Sequence, residues 1–419
     1  MVATRNVQVK DGDVLVMVGT TKGAFLLRSS GARKKWDVGG PHFPGHSVYA
    51  MAYDGRGKKP TLWAGTNSMH WGGVLRSSTD FGRHWTEPES ANVKFPTETG
   101  ASLKQIWKIR PGRPEEPNTL FCGVEPAALF ESRDGGETWE LNRGLYDHPH
   151  RARWQPGGGG LCLHTILPDA QDRDRMFIAI STGGVYRTDD GGRTWQPRNH
   201  GVRADFLPGK FPEYGQCVHK VVAHPSRPDR LFLQNHWGLY RSDDGGDSWT
   251  DIANGVPSDF GFCMAMHPHD PETVYIVPIE SDQFRCTPEG KLRVYRTRNA
   301  GKSWEALTRG LPQKEALECV LRDAMSVDHM NPAGVYFGTR SGLVYGSPDG
   351  GASWSKLIGG LPPVVSVEAA VVGGVKSNGS RRKASAAKRA SRQPARSSSR
   401  PRAAKARGAA PRRRSPKKK

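Results

Sequence analysis

The stretch "RSDDGGDSWT", residues 241–250, decides how the chain is read. Its polar, glycine-rich centre and terminal Trp read as a tight loop joining two strands. Nearly the same phrase occurs five more times: "SSTDFGRHW" ending at Trp85, "ESRDGGETW" at Trp139, "RTDDGGRTW" at Trp195, "RTRNAGKSW" at Trp304 and "GSPDGGASW" at Trp354. All six fit Ser/Thr-x-Asp/Asn-x-Gly-x-x-Trp. The fixed acidic or amide positions are Asp80, Asp134, Asp190, Asp244, Asn299 and Asp349, at intervals of 54, 56, 54, 55 and 50 residues. A fixed period in this range marks a repeat architecture whose units are supersecondary elements. A decayed copy, "SSGARKKW", places Ser29 and Trp36 at the same spacing, with Gly31 where the Asp would stand.

Each unit parses into four short strands by alternating polarity and turn residues. In the fifth these are "CVHKVVAHP", "RLFLQN", "GLYRSDD" and "SWTDIAN", the last two joined by the repeated phrase. Four strands per repeat is the geometry of a propeller blade. The first unit, beginning "VLVMVGT" and "GAFLLRSS", lacks an innermost strand, while "VVSVEAAVV" at 364–372 follows the last repeat with no unit of its own. The expectation is an all-β, seven-bladed propeller of four-stranded antiparallel blades over 10–375. The C-terminal apolar segment completes the first blade and leaves no open edge.

The phrase itself needs no ligand. Its carboxylate accepts backbone N–H groups of its own turn, its Gly supplies positive φ, and its Trp packs between sheets. Gly31 supplies no acceptor, so the first loop is expected to be the least rigid. On these residues the chain resembles the Asp-box, or BNR, repeat proteins, which include sialidases, sortilin-type receptors, xyloglucan-degrading glycosidases and a photosystem II assembly factor. The likeness covers about 14–372. It implies a propeller with the boxes on the face opposite any site. It does not imply an activity, because fold and function separate. The Arg-Ile-Pro motif of sialidases is absent; the nearest string, "KIRPG" at 108–112, has another order. True sialidase activity is therefore disfavoured.

The formal charge of +20 would suggest a nucleic-acid binder until its location is considered. Residues 376–419 hold 18 Lys or Arg and no acid, which leaves 43 basic against 41 acidic residues over 1–375. That tail, rich in Lys, Arg, Ala, Ser and Pro, has no aromatic residue or apolar period, so it is expected to be disordered and suited to non-specific contact with nucleic acid. No apolar run reaches the roughly 20 residues of a membrane span, and no signal segment is visible. The chain is read as cytoplasmic and monomeric. Its six cysteines show no disulfide framework.

The mouth opposite the repeated loops is built from second-to-third and fourth-to-first connections, where variable loops on a rigid ring carry function. "HWG" occurs twice in these connections, as His70-Trp71-Gly72 and His236-Trp237-Gly238. A Trp beside a His suits stacking on a sugar; the same pair also suits a packing niche. Innermost strands align Cys162, Cys217, Cys263 and Cys319 at one position, with His164 and His219 matching two residues later. Buried thiols filling a crowded strand is the preferred reading, and no metal or cofactor is assigned. Glycoside hydrolysis requires two carboxyl groups roughly 5–5.5 Å or 6.5–9.5 Å apart. The catalytic candidates are Glu125, Glu280 and Asp323, with Asp282 and Glu318 behind them, and Arg322 and Arg340 for an anionic ligand. The leading reading is a platform for a carbohydrate or protein ligand at the propeller mouth. The alternatives are a glycoside hydrolase and a nucleic-acid-associated protein recruited by its tail.

Overall fold

The computed structural model describes residues 4–68 and 72–374. His70, Trp71 and the basic tail lie outside the described residues. Seven antiparallel sheets succeed one another along the chain and form the blades of a closed ring. Among the described residues helix is confined to short pieces, the longest α-helical one being Arg143–Tyr146. In the fifth blade the strands are Val218–His224, Arg227–Asn235, Leu239–Ser242 and Thr250–Asp251, from the channel outward. The inner strands are rich in β-branched and aromatic residues, which fit a pleated surface buried on both faces. The core lies between blades: Val221, Leu231 and Leu233 of the fifth pack on Phe177 and Ala179 of the fourth.

Ring closure follows the sequence expectation. Val364–Val371 pairs antiparallel with Val14–Thr20, Val14 opposite Val371 and Val18 opposite Val367. The closing strand is also held from both sides. The Val367 N–H donates to the Asp323 carbonyl of the seventh blade at 2.7 Å, and the Ser366 hydroxyl donates to the Val48 carbonyl of the second at 3.2 Å. A sheet with an open edge here would expose a full row of unpaired backbone groups.

The repeated loop is a self-satisfied turn. In the fourth blade Asp190 accepts the Thr194 N–H at 2.9 Å and the Thr194 hydroxyl at 2.6 Å. The Thr188 hydroxyl donates to the same carboxylate and accepts the Gly192 N–H. Asn299 reproduces the acceptor role toward the Ser303 N–H at 3.0 Å, and its amide donates to the Ser303 hydroxyl. Hydrogen bonds from the Thr138 side chain, the Thr138 backbone and Ser132 hold the equivalent Asp134 carboxyl down at about 2. The Trp stitches blades together. The indoles of Trp195, Trp249 and Trp304 donate to Asn142, Arg198 and Ile252, each in the preceding blade. The loop glycine must stay small: Gly136 has φ +94°, and a Cβ there would lie 2.4 Å from the Trp63 ring of the preceding blade.

Two details differ from the sequence reading. The second blade has three strands, Ser47–Asp54, Thr61–Ser68 and Gly72–Ser78, among the described residues. Its fourth place is taken by a coil: Thr86 bonds back to Ser77, and the following segment buries Val93 and Phe95 against the third blade. The decayed first loop is pinned from outside. Arg33 pairs at 3.1 Å with the fully buried carboxylate of Asp328, which also accepts the Tyr336 hydroxyl at 2.8 Å. Trp36 packs edge-on to Tyr336. An ion pair to the seventh blade replaces the missing internal acceptor.

Candidate functional site

On the face opposite the repeated loops, the channel opens into a cavity of about 960 Å³. Tyr49, Trp107, Tyr214, Phe260 and Phe262 give its wall an aromatic character, and Glu125, Arg153, Arg285, Arg322, Asp323 and Arg340 give it charge. The loops at 156–159 and 206–215 rise at its rim. A cavity of this size, walled by aromatic rings and charged side chains, has room for a small ligand.

A single backbone device aims residues into it. In five inner strands the pairing slips by one or two residues near the start, at Val48/Ala50, Ile106/Lys108, Leu163/Thr165, Val218/Lys220 and Gly261/Met264. The skipped residues include Tyr49, Trp107, His164, His219 and Phe262. The closing strand does the same at Val365. A bulge of this kind re-aims a side chain out of the alternation of its strand. Of these residues all but His164 line the cavity.

Trp107 organises the acidic side of the site. Its indole N–H donates to Glu125 Oε2 at 3.1 Å, Tyr49 packs edge-on against it at 4.9 Å, and the Arg322 guanidinium stands 5.3 Å over its ring. Arg322 Nη1 in turn donates to Cys162 Sγ at 3.1 Å. The loop at 157–160 presses on the carboxylate from above, since a Cβ at Gly160 would fall 2.5 Å from Glu125 Oε1. Glu125 has no ion-pair partner among the described residues.

Asp323 sits deeper and is clamped. Lys220 Nζ lies 2.5 Å and Lys108 Nζ 3.7 Å from its Oδ1, and Lys108 also reaches Glu368 at 3.8 Å. Burial alone would raise the Asp323 carboxyl; the two ammonium groups outweigh it and hold it below the usual carboxylate range. Glu125 and Asp323 therefore differ in kind, and the exposed Glu213 is a third carboxyl group on the same cavity. Asp323 is fixed as an anion, whereas Glu125 is held by a neutral indole.

The remaining candidates separate. Glu280 is exposed, in a loop where its N–H bonds to the Cys286 carbonyl, and it does not line the cavity. Asp282 lies 3.6 Å from His236 Nε2. Glu318 is buried off the wall, with one carboxylate oxygen unpartnered among the described residues. Arg340 is an exposed rim residue. Trp237 packs against His236 and Phe206 and is no part of the wall. His164 is buried and saturated, with Nε2 on the Val218 carbonyl and Nδ1 on the Thr165 hydroxyl. His219, its counterpart, places Nδ1 2.6 Å from the Gly261 carbonyl, and its Nε2 lies 3.6 Å from Cys217 Sγ. The four aligned cysteines are free and do not form one ligand set; Cys263, for instance, belongs to an apolar cluster between blades.

Sequence reasoning missed Tyr49, Trp107, Arg153 and Arg285. For the first two a signal was present: aligning "SVYAMAY" and "QIWKIRP" under "LCLHTI" and "QCVHKV" puts Tyr49 and Trp107 in the column of His164 and His219.

No family model matches the chain. A probable oligoxyloglucan-reducing end-specific xyloglucanase of Neosartorya fischeri is 24% identical over 221 residues, 46% of this chain and 26% of that protein. An oligoxyloglucan-reducing end-specific xyloglucanase of Emericella nidulans is 22% identical over 243 residues, 50% of this chain and 27% of that protein. The matched regions thus span about a quarter of the length of these curated relatives. The crystal structure of a GH74 enzyme of Niastella koreensis superposes with a TM-score of 0.53 at 15% identity, covering 88% of this chain and 55% of that one. The likeness to the solved structure lies in the fold: the chain is a seven-bladed β-propeller whose structural neighbours include GH74 enzymes.

Proposed function

We propose that the propeller binds a carbohydrate chain in the cavity at the mouth opposite its repeated loops, which are of the Asp-box type. The observation that carries this reading is Trp107, held on the cavity wall by Glu125, Tyr49 and Arg322. A rigid aromatic face beside a carboxylate and guanidinium groups is the chemistry that packs on the apolar face of a sugar ring and hydrogen-bonds its hydroxyls. The similarity to xyloglucanases supports a glycan as the ligand class. The four arginines of the wall favour a glycan bearing carboxylate groups, or a neutral one that uses guanidinium donors.

A second reading, hydrolysis of that glycan, is favoured by the unequal carboxyl groups. In this reading Glu125, which accepts the Trp107 indole N–H and has no ion-pair partner among the described residues, is the candidate acid, and Asp323 supplies the fixed negative charge. The test is calorimetric titration of the full chain with xyloglucan oligosaccharides and with their uronate-bearing counterparts, alongside a reducing-end assay. Trp107→Ala is expected to weaken binding about tenfold or more, the loss of one central aromatic contact. Glu125→Gln is expected to keep binding and abolish release. Turnover undiminished in Glu125→Gln refutes hydrolysis at this site; binding undiminished in Trp107→Ala refutes the site itself.

A further inference from the structure

We infer that Cys217, His219 and His236 form a binding site for zinc or a similar borderline transition-metal ion on the wall of the cavity. Their donor atoms all lie within 4.8 Å of one another, and no other group of three His, Cys, Asp or Glu side chains is so placed among the described residues. The inference is independent of which ligand the cavity takes.

The geometry fits a tetrahedral ion. With Zn–S of about 2.3 Å and Zn–N of about 2.05 Å, a tetrahedral angle puts the sulfur and nitrogen about 3.6 Å apart. Cys217 Sγ and His219 Nε2 lie 3.6 Å apart. The orientation of His219 is fixed as metal ligands require. Its Nδ1–H donates to the Gly261 carbonyl at 2.6 Å, which leaves the Nε2 lone pair directed toward Cys217. The matching His164 does not meet this condition, because both of its nitrogens are taken. His236, one-fifth exposed, supplies the third donor, with the Asp282 carboxylate 3.6 Å from its Nε2 as a supporting anion. Phe260 packs against both histidine rings and fixes their spacing.

A metal takes the histidines as neutral imidazoles and the cysteine as its thiolate. Metal binding displaces the Cys217 proton to solvent, and the thiolate offsets one of the two charges of the ion beside Arg285 and Arg322. All three residues line the cavity, so a fourth coordination position opens toward its contents. Three protein donors with an open fourth position is the arrangement of a site that presents the ion to a bound molecule.

The test uses the full chain, stripped with a chelator, reloaded with Zn²⁺ or Co²⁺, and gel-filtered. The expected result is about one equivalent of metal and a thiolate-to-cobalt charge-transfer band in the near ultraviolet. Cys217→Ser should remove the band and weaken zinc binding roughly 100-fold or more, since outer-shell partners alone are worth 10–100-fold. His236→Ala, at a partly exposed position, should weaken binding while keeping the far-ultraviolet circular dichroism of the wild type. Cys286→Ser, outside the cluster, should change neither. Folded wild-type protein that retains no stoichiometric metal and shows no band overturns the inference, as does a band that survives in both Cys217→Ser and His236→Ala.

Discussion

Replacing Lys220 by Met leaves Asp323 with one cation in place of two, and the size of the effect follows from the distances. At an effective dielectric of about 20, a unit-charge pair at 2.5 Å attracts by about 6–7 kcal/mol and one at 3.7 Å by about 4.5 kcal/mol. Desolvation of the ions offsets most of the first figure, and orphaning a buried charge in general costs about 3–5 kcal/mol. Lys108 remains to compensate Asp323 in part, so Lys220→Met is expected to destabilise the protein by about 2–3 kcal/mol. Asp323→Asn alone leaves the buried Lys220 ammonium without its carboxylate, while Lys108 keeps Glu368, and it is expected to cost at least as much. The double variant removes both sides of the closest pair and should recover about 2 kcal/mol relative to the sum of the single changes. The assay is a double-mutant cycle from urea unfolding at pH 7. A pH series adds a sign. The folded Asp323 carboxyl lies below its unfolded value, so its contribution is full above about pH 4 and is lost as the pH falls through the lowered value. The acid-induced loss should be smaller in Lys220→Met than in the wild type. Additive single changes, or a Lys220→Met cost under about 0.5 kcal/mol, would refute the account of Asp323 as a clamped anion.

Other consequences are open to simpler measurements. Asp349→Ala removes the acceptor for the Ser353 N–H, the Ser353 hydroxyl and the Ser347 hydroxyl. It is expected to lower stability by about 1–2 kcal/mol in urea unfolding while leaving ligand titration at the far mouth unchanged. Ending the chain before Val364 removes the innermost strand of the first blade and exposes the edge of Val14–Thr20; the product is expected to aggregate on size-exclusion chromatography. Ending it after Gly374 should leave cooperative unfolding intact. Elution from a heparin column should then move to lower salt, because 18 basic residues are lost.

The blade number and the closing strand were legible because each repeated phrase marks the same turn, and the spacing between phrases leaves room for four short strands. The edges of the pattern were less legible. Nothing in "TEPESANVKFP" signals that a coil, anchored by Val93 and Phe95, occupies the fourth place of the second blade. The anchor of the first loop was hidden for a different reason: Arg33 and Asp328 lie 295 positions apart and meet through ring closure alone. Of the residues singled out in the sequence, Glu125, Asp323, His219, His236, Arg322 and Arg340 line one cavity. The structure sorts these further, since burial and ion pairing depend on which blades face one another across the channel. Trp107 escaped because a bulge, which alternation does not encode, turns it from the sheet toward the cavity.

The central claim is that Trp107 and Glu125 mark a carbohydrate site, and calorimetric titration of wild-type and Trp107→Ala chains with xyloglucan oligosaccharides tests it most directly. The account predicts saturable binding by the wild type, weakened about tenfold or more in the variant when both are titrated as folded protein. Equal affinity in both chains, or no binding of neutral or uronate-bearing oligosaccharides by the folded wild type, would contradict it.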